Sequence, residues 1–318
     1  MELQMEGGPV LAVCPNTAWQ KTLTFGSLQP GAVNRAESIR ACGGGKGINV
    51  ARVLRNLGFP VTVAGFAGGE TGKFLKEELR QSGAGDLTFS CRNATRCCYT
   101  IIDKASGLAT ELIEPSPEIA ENEVQALLEE LENRMTEFSA VCLSGTLPPG
   151  VTAEFYAQIA AMAQQAGIPL LLDAFRDAEA TLAKGVHMLK INADELRELS
   201  GEANLHSGAK KILTTFPVVW LAVTDGAKAA WLFNAKQAWR FTIPALPHIV
   251  SPIGAGDCAA AIMLRRLAEK PAPEKMPECF AEALACASAS CLTPCPSVFD
   301  PAEAEKIRPR IRIEQQIF

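Results

Sequence analysis

The sequence is poor in histidine and in aromatic residues. Its 318 residues include three His, two Tyr and four Trp, and aromatics make up 6%. His187, His206 and His248 stand far apart. The eleven Cys contain no CxxC pair, and Cys97-Cys98 and Cys291…Cys295 are poor zinc spacings. A structural metal is therefore not expected. Scattered and odd in number, the cysteines read as reduced, mostly buried thiols of a cytoplasmic protein. No run reaches the roughly 18 apolar residues of a membrane span; the longest, such as Val218 to Val223, are strand-sized. Met1 to Pro9 has two Glu and no Lys or Arg, unlike a secretory signal. Without such a signal, the sequon Asn93-Ala94-Thr95 reads as chance. Nor is there a basic excess: thirty Lys+Arg against thirty-five Asp+Glu leave a net charge of −5. That argues against a nucleic-acid partner but not against a local basic pocket for a small anion.

What is present is apolar matter in alternating patterns. At 48% apolar and 20% charged, the chain can bury a sizeable core. Strands are expected at Val10–Cys14, Val61–Gly65, Ala140–Leu143, Pro169–Asp173, His187–Ile191, Val218–Val223 and Ala229–Phe233. Helices are expected between them, at Gly47–Leu57, Gly72–Gln81, Glu121–Met135, Ala153–Gln165, Ala193–Leu199 and Leu205–Thr214. Two more follow at Ala255–Ala268 and Pro277–Ala289. This alternation predicts an α/β domain whose mostly parallel sheet is covered on both faces. Two stretches break the pattern. Thr22–Phe25 with Asn34–Ala41, joined through Pro30-Gly31, reads as one strand pair. Leu87–Arg92, Cys97–Asp103 and Thr110–Glu114 read as three more strands. Having no helices between them, they are expected to form a small inserted sheet, a lid over an active site. The tail, Pro309 to Phe318, is too short to assign.

Three segments carry chemistry. Gly254-Ala255-Gly256-Asp257 opens a small-residue helix, where free N–H groups and the helix dipole favour an anion. Asp257 is either a simple dipole partner or a base that takes a proton from a hydroxyl attacking phosphorus. The second segment, Gly43-Gly44-Gly45-Lys46-Gly47-Ile48-Asn49, sets a glycine run, a point charge and an amide at the start of an amphipathic helix. It is not a Walker loop, because Lys46 precedes Gly47 and no Ser or Thr follows. Gly68–Phe74 fails that pattern too and reads as a turn entering a helix. In the third, Lys190–Leu196, Asn192 and Glu195 have capping-box spacing. The same pair is equally suited to orienting water on Mg²⁺.

These segments, in this order, resemble the phosphofructokinase-B family of ribokinase-like carbohydrate kinases, closest to its 1-phosphofructokinase and tagatose-6-phosphate kinase branch. The likeness runs from about Leu11 to Pro294. It includes Lys21-Thr22, Gly44 to Arg52, Gly68 to Gly72, Thr95-Arg96, Leu143 to Gly150, Leu172-Asp173, Lys190 to Leu196 and Gly254 to Asp257. It implies a single ribokinase-like three-layer domain over residues 1–318, with a discontinuous β lid at about 20–42 and 87–114. It implies ATP-dependent phosphorylation of a phosphorylated ketohexose: fructose 1-phosphate, tagatose 6-phosphate or fructose 6-phosphate. By the same likeness Asp257 is the general base, and the Gly254, Ala255 and Gly256 amides form the anion hole. Gln20, Gly44, Gly45, Lys46, Asn49, Arg96 and Ser144 serve the sugar phosphate. Lys190, Asn192, Glu195, Thr224 and Gly226 line the ATP side. Mg²⁺ comes with ATP, near Asn192 and Glu195, without direct protein ligands. The helix around Ala283–Ala289 either walls the adenine or is simply core.

The chain departs from the family pattern at three positions. Gln20 stands where the branch has Asp, Pro252 where it has Thr, and Ala229 where it has Gly. These leave two other readings: a kinase for an unphosphorylated sugar or nucleoside, or a catalytically silent sugar-phosphate sensor. A homodimer through the lid would protect its strand edges. No membrane partner is expected.

Overall fold

The computed structural model describes residues 8–318; most of the Met1–Pro9 segment lies outside them. In chain order the strands are β1 Val10–Cys14, β2 Ala18–Phe25, β3 Ser38–Gly44, β4 Val61–Gly68, β5 Gly85–Cys91, β6 Arg96–Asp103 and β7 Leu108–Ile113. They continue as β8 Val141–Ser144, β9 Leu170–Asp173, β10 Val186–Asn192, β11 Val218–Asp225, β12 Ala229–Phe233, β13 Ala238–Thr242 and β14 Arg312–Gln316. The helices are α1 Lys46–Asn56, α2 Gly69–Ser82, α3 Glu121–Arg134, α4 Ala153–Gln165 and α5 Glu179–Leu182. The remainder are α6 Ala193–Ser200, α7 Leu205–Thr215, α8 Ala255–Ala268, α9 Met276–Ser290 and α10 Pro301–Ile307.

Ten strands form one sheet in the order β14-β13-β12-β11-β10-β9-β8-β1-β4-β5. From β5 through β11 every neighbour is parallel, joined by crossovers; β12, β13 and β14 extend it antiparallel. The two-residue side-chain period of a strand divides the core. In β1, Val10, Ala12 and Cys14 pack toward α1, α8 and α9, whereas Leu11 and Val13 pack toward α3 and α4. The result is three layers. All the parallel strands end on the same edge, where β1, β8, β9 and β10 finish at Cys14, Ser144, Asp173 and Asn192. The N-termini of α1 and α8 meet this edge, the usual place for a ligand in an open α/β sheet.

The small sheet exists, in the order β3-β2-β6-β7, with β2 and β6 parallel. Its membership differs from expectation. Leu87–Arg92 is not part of it: Leu87 to Cys91 belong to β5, paired in parallel with β4 from Thr62↔Gly85 to Gly68↔Cys91, and Arg92 lies just beyond it. The reason is α2, which joins β4 to β5 as a crossover and places β5 at the edge of the large sheet. The small sheet is thus built from residues 18–44 and 96–113. Its strand β3 also starts late, because the Asn34 side chain folds back on Gln29, donating to its carbonyl and accepting from its N–H, both at 2.8 Å. All eleven cysteines are free and most are buried.

Candidate active site

The glycine run ends in a backbone that other residues resist. Gly45 has φ 107°, and a Cβ there would meet Cys14 Sγ at 2.7 Å. This close approach delivers Lys46 and Asn49, one turn apart on α1, to the strand edge. Lys46 Nζ donates to Asp173 Oδ1 at 2.9 Å, and Lys190 Nζ donates to Asp173 Oδ2, also at 2.9 Å. One carboxylate at the end of β9 therefore joins a lysine from α1 to a lysine from β10. The Asp173 and Lys190 side chains are 1% and 5% exposed, and Lys46 is 37% exposed. Burial opposes the Asp173 charge, but Lys190 and Lys46 hold the carboxyl below the usual range. Burial likewise opposes charge on Lys46, and Asp173 with Asp257 outweighs it and raises the ammonium. Sequence reasoning gave Asp173 no role. The available signal was a lone acid closing an apolar strand on the ligand edge.

Asp257 lies in the first turn of α8 and is 8% exposed. Burial, then Asp173, pushes its carboxyl up to about 6, against the opposing pull of Lys46, the Asn49 hydrogen bond and Lys190. Asn49 Nδ2 donates to Asp257 Oδ2 at 2.7 Å. The helix start depends on Gly254, at φ 81°, where a Cβ would meet Ser297 Oγ at 2.5 Å. Of the three amides expected to receive an anion, that of Ala255 has a backbone partner. Its N–H donates to the Pro252 carbonyl at 3.3 Å, closing the turn that opens α8. The Gly256 and Asp257 N–H groups have no protein acceptor among the described residues. Lys190 Nζ stands 3.2 Å from where a Gly256 Cβ would be, so a cation flanks these amides.

The small sheet covers this edge. Gln20 Nε2 donates to Thr100 Oγ1 at 2.8 Å, and a Cβ on Gly44 would meet Gln20 Oε1 at 3.3 Å. Gln20 thus overhangs the glycine run. Thr22, Thr100 and Ile102 face Val250, Ser251 and Ile253 across a cleft, and Arg40 Nη1 reaches Cys295 Sγ at 3.1 Å. Arg96 opens β6, and its Nε is buried without an acceptor. Asn16 Oδ1 is also buried without a donor, while its Nδ2 donates to Ser116 and Thr146. Sequence reasoning missed Asn16. Ser144 lies elsewhere than expected: it is fully buried, and its hydroxyl donates to the Val13 carbonyl at 3.4 Å. It braces the strand end and does not reach the cleft.

On the far side, Asn192 and Glu195 form the capping box of α6, with both bonds at 2.8 Å. Asn192 and Thr224 are register partners on β10 and β11, and Gly226 turns beyond them at φ 55°. Ala229 starts β12 opposite Asp225 and is not among the residues with positive φ, so replacing glycine there strains nothing. Ala283 to Ala289 are buried along α9, as in a core helix. No three His, Cys, Asp or Glu side chains converge on a metal-sized site among the described residues. No described helix is long and apolar enough to cross a membrane.

A three-layer α/β domain with a cationic cleft beneath an inserted sheet is the architecture of ribokinase-like sugar kinases. Residues 9–301 match the pfkB family of carbohydrate kinases, and the chain belongs to that family and is a carbohydrate kinase. It is similar in structure to Escherichia coli phosphofructokinase-2 in complex with potassium, with TM-score 0.86 and 25% identity, covering 95% of this chain and 99% of that one. The same enzyme in complex with fructose-6-phosphate superposes with TM-score 0.83 at 25% identity, again over 95% and 99%. A carbohydrate kinase from Agrobacterium tumefaciens, 20% identical over 97% of this chain and 100% of that one, shares the fold with TM-score 0.74.

Proposed function

We propose that the protein transfers the γ-phosphoryl group of ATP to a hydroxyl of a phosphorylated ketohexose, with Asp257 as general base. The observation that carries this reading is a buried carboxylate inside a helix N-terminus whose neighbouring amides are open. Raised to about 6, Asp257 is mostly ionised at neutral pH yet basic enough to accept a hydroxyl proton. The Gly256 N–H, the Asp257 N–H and Lys190 stand where charge on the transferred group would be stabilised. Lys46 and the unpartnered Arg96 Nε supply positive charge for a second phosphate on the sugar. Fructose-6-phosphate in the E. coli neighbour supports the same substrate class.

Mg²⁺ dehydrates reluctantly and is commonly held through phosphates and water. Asn192 and Glu195 fit that role as a polar pair at the strand end, since neither belongs to a dedicated cage. Bound with ATP, the ion would neutralise phosphate charge; Lys190, Asn192, Glu195, Thr224 and Gly226 would orient the nucleotide around it.

Turnover of ATP with fructose 1-phosphate, fructose 6-phosphate and tagatose 6-phosphate tests the reading. Asp257→Asn should cost roughly 10²–10⁴-fold; undiminished activity would reject the base. Arg96→Ala should sharply raise the sugar-phosphate KM. An indifferent KM would favour a neutral sugar or nucleoside, for which Gln20 is the motivating residue. Binding of these ligands without any ADP release would make the protein a sensor.

We also propose that two copies associate through the small sheet. Its outer face presents Ile39 and Leu112, 62% and 54% exposed, beside Leu23 and Ile101.

A further inference from the structure

We propose that Arg52 and Glu78 are positioning residues for the proton acceptor: they fix which end of the Asn49 amide faces Asp257. The inference rests on Asp257 being the base. Asn49 Oδ1 accepts from Arg52 Nη1 at 2.7 Å, while Asn49 Nδ2 donates to Asp257 Oδ2 at 2.7 Å. An amide is nearly symmetric in shape but not in polarity. A guanidinium only donates, so the amide must turn its oxygen toward Arg52. The nitrogen is then left facing the carboxylate, as a donor. Arg52 lies three residues beyond Asn49 on α1, the spacing that places two side chains side by side.

Arg52 is itself held from α2. Its Nη2 donates to Glu78 Oε1 at 3.1 Å and also to the Gly43 carbonyl, and Glu78 Oε2 accepts the Gly43 N–H. Both polar groups of Gly43 are thus engaged by one ion pair. The same pair steadies the glycine run on one side and the Asn49 amide on the other. Arg52 is 15% exposed and Glu78 31%, so water competes only partly for these bonds.

A plain brace and a positioning role predict different kinetics. A brace would affect stability and the sugar-phosphate KM. A positioning residue would also change how readily Asp257 holds a proton. The Asn49 bond opposes the rise in the Asp257 pKa caused by burial and Asp173. Without Arg52 the amide is free to turn its oxygen toward the carboxylate. The acid limb of kcat/KM would then move up in pH. The other groups facing Asp257 are Lys46 on α1, Lys190 on β10, Asp173 on β9 and the thiols of Cys14, Cys142 and Cys258. Burial pushes all three thiols upward, so they remain neutral across this range.

The experiment is the pH profile of kcat/KM for wild type, Arg52→Met, Arg52→Lys, Asn49→Ala and the double variant Asn49→Ala/Arg52→Met. Each is compared with wild type on the same sugar phosphate, so the substrate's own titration cancels. Arg52→Met and Asn49→Ala should each raise the acid limb by about one pH unit, equivalent to a tenfold change in protonation. The double variant should move it no further than Asn49→Ala alone, and Arg52→Lys should restore part of the shift. An unmoved limb with a raised KM would reduce Arg52 to a brace and overturn the proposal. Limb shifts that add in the double variant would overturn it too. If Arg52→Met does not fold, Glu78→Gln, which loosens Arg52 in place, must raise the limb or the proposal fails. Asp257→Asn separates the two claims. Full activity there removes the base, whereas an inactive Asp257→Asn with an unmoved Arg52→Met limb removes only the positioning role.

Discussion

Asp257 sits in an environment that favours its protonated form, and this has a thermodynamic sign. Its folded pKa of about 6 lies above the ordinary 3.8. Between these values the folded chain binds a proton that the unfolded chain has already released. Folding is therefore weakened as pH rises through that window, and the penalty is complete above about pH 6. Asp257→Asn, which removes the charge, should stabilise the protein at pH 7 by on the order of 1–3 kcal/mol. The gain should vanish as the pH falls toward 4. Thermal melts of both proteins across that range would check this, and a variant less stable at pH 7 would contradict it. At this scale the sequence was only partly legible. Asp257, Lys46, Asn49 and Lys190 were identifiable from their motifs, and they meet in space. Asp173 was not assigned, because an acid closing an apolar strand is a weak local signal; its meaning comes from two lysines 127 and 17 residues away. Glu78 and Arg52 are 26 residues apart on different helices, beyond any spacing rule.

Among the elements, α6 is the one whose polar pair has both an observed capping role and a proposed nucleotide role. Its capping box accounts for Asn192 and Glu195 without any ligand, and the strand-end location accounts for them as nucleotide contacts. Asn192→Ala separates the two. Loss of a cap should cost about 1 kcal/mol of stability. A nucleotide role adds a raised ATP KM with the sugar KM unchanged. Denaturant melts and steady-state kinetics on one variant measure both, and stability loss alone would leave Asn192 as a cap. Element types were readable because buried parallel strands are continuous apolar runs and surface helices are amphipathic. β5 lies in the large sheet and not in the small one where it was expected, since strand patterns carry no information about partners and the preceding α2 sets it beside β4. β13 was not expected, because Arg240 and Thr242 interrupt its apolar residues where β1 and β12, equally short, are continuous apolar runs, and α5 is a single four-residue turn.

For the whole molecule, the small sheet is the surface proposed to carry association. Its inner face closes the cleft, and its outer face leaves Ile39 and Leu112 largely in water. If two copies share that face, Ile39→Lys with Leu112→Lys should convert the protein to a monomer. Light scattering over a range of concentrations would check it, and a wild type that is monomeric throughout would end the idea. Because the same strands carry Gln20 and Arg96, a dimer-breaking change should also weaken sugar-phosphate binding.

Asp173 has a consequence beyond charge balance. A single anion divided between Lys46 and Lys190 is a shared counterion for the two halves of the cleft. On the proposed reading, a phosphate engaging one lysine would release Asp173 to strengthen its hold on the other. Occupancy of either half would then alter the cost of filling its neighbour, and reciprocity would require the effect to be equal in both directions. Titrating a non-hydrolysable ATP analogue with and without sugar phosphate, and the sugar phosphate with and without the analogue, should give the same ratio of dissociation constants. Asp173→Asn should bring that ratio toward one.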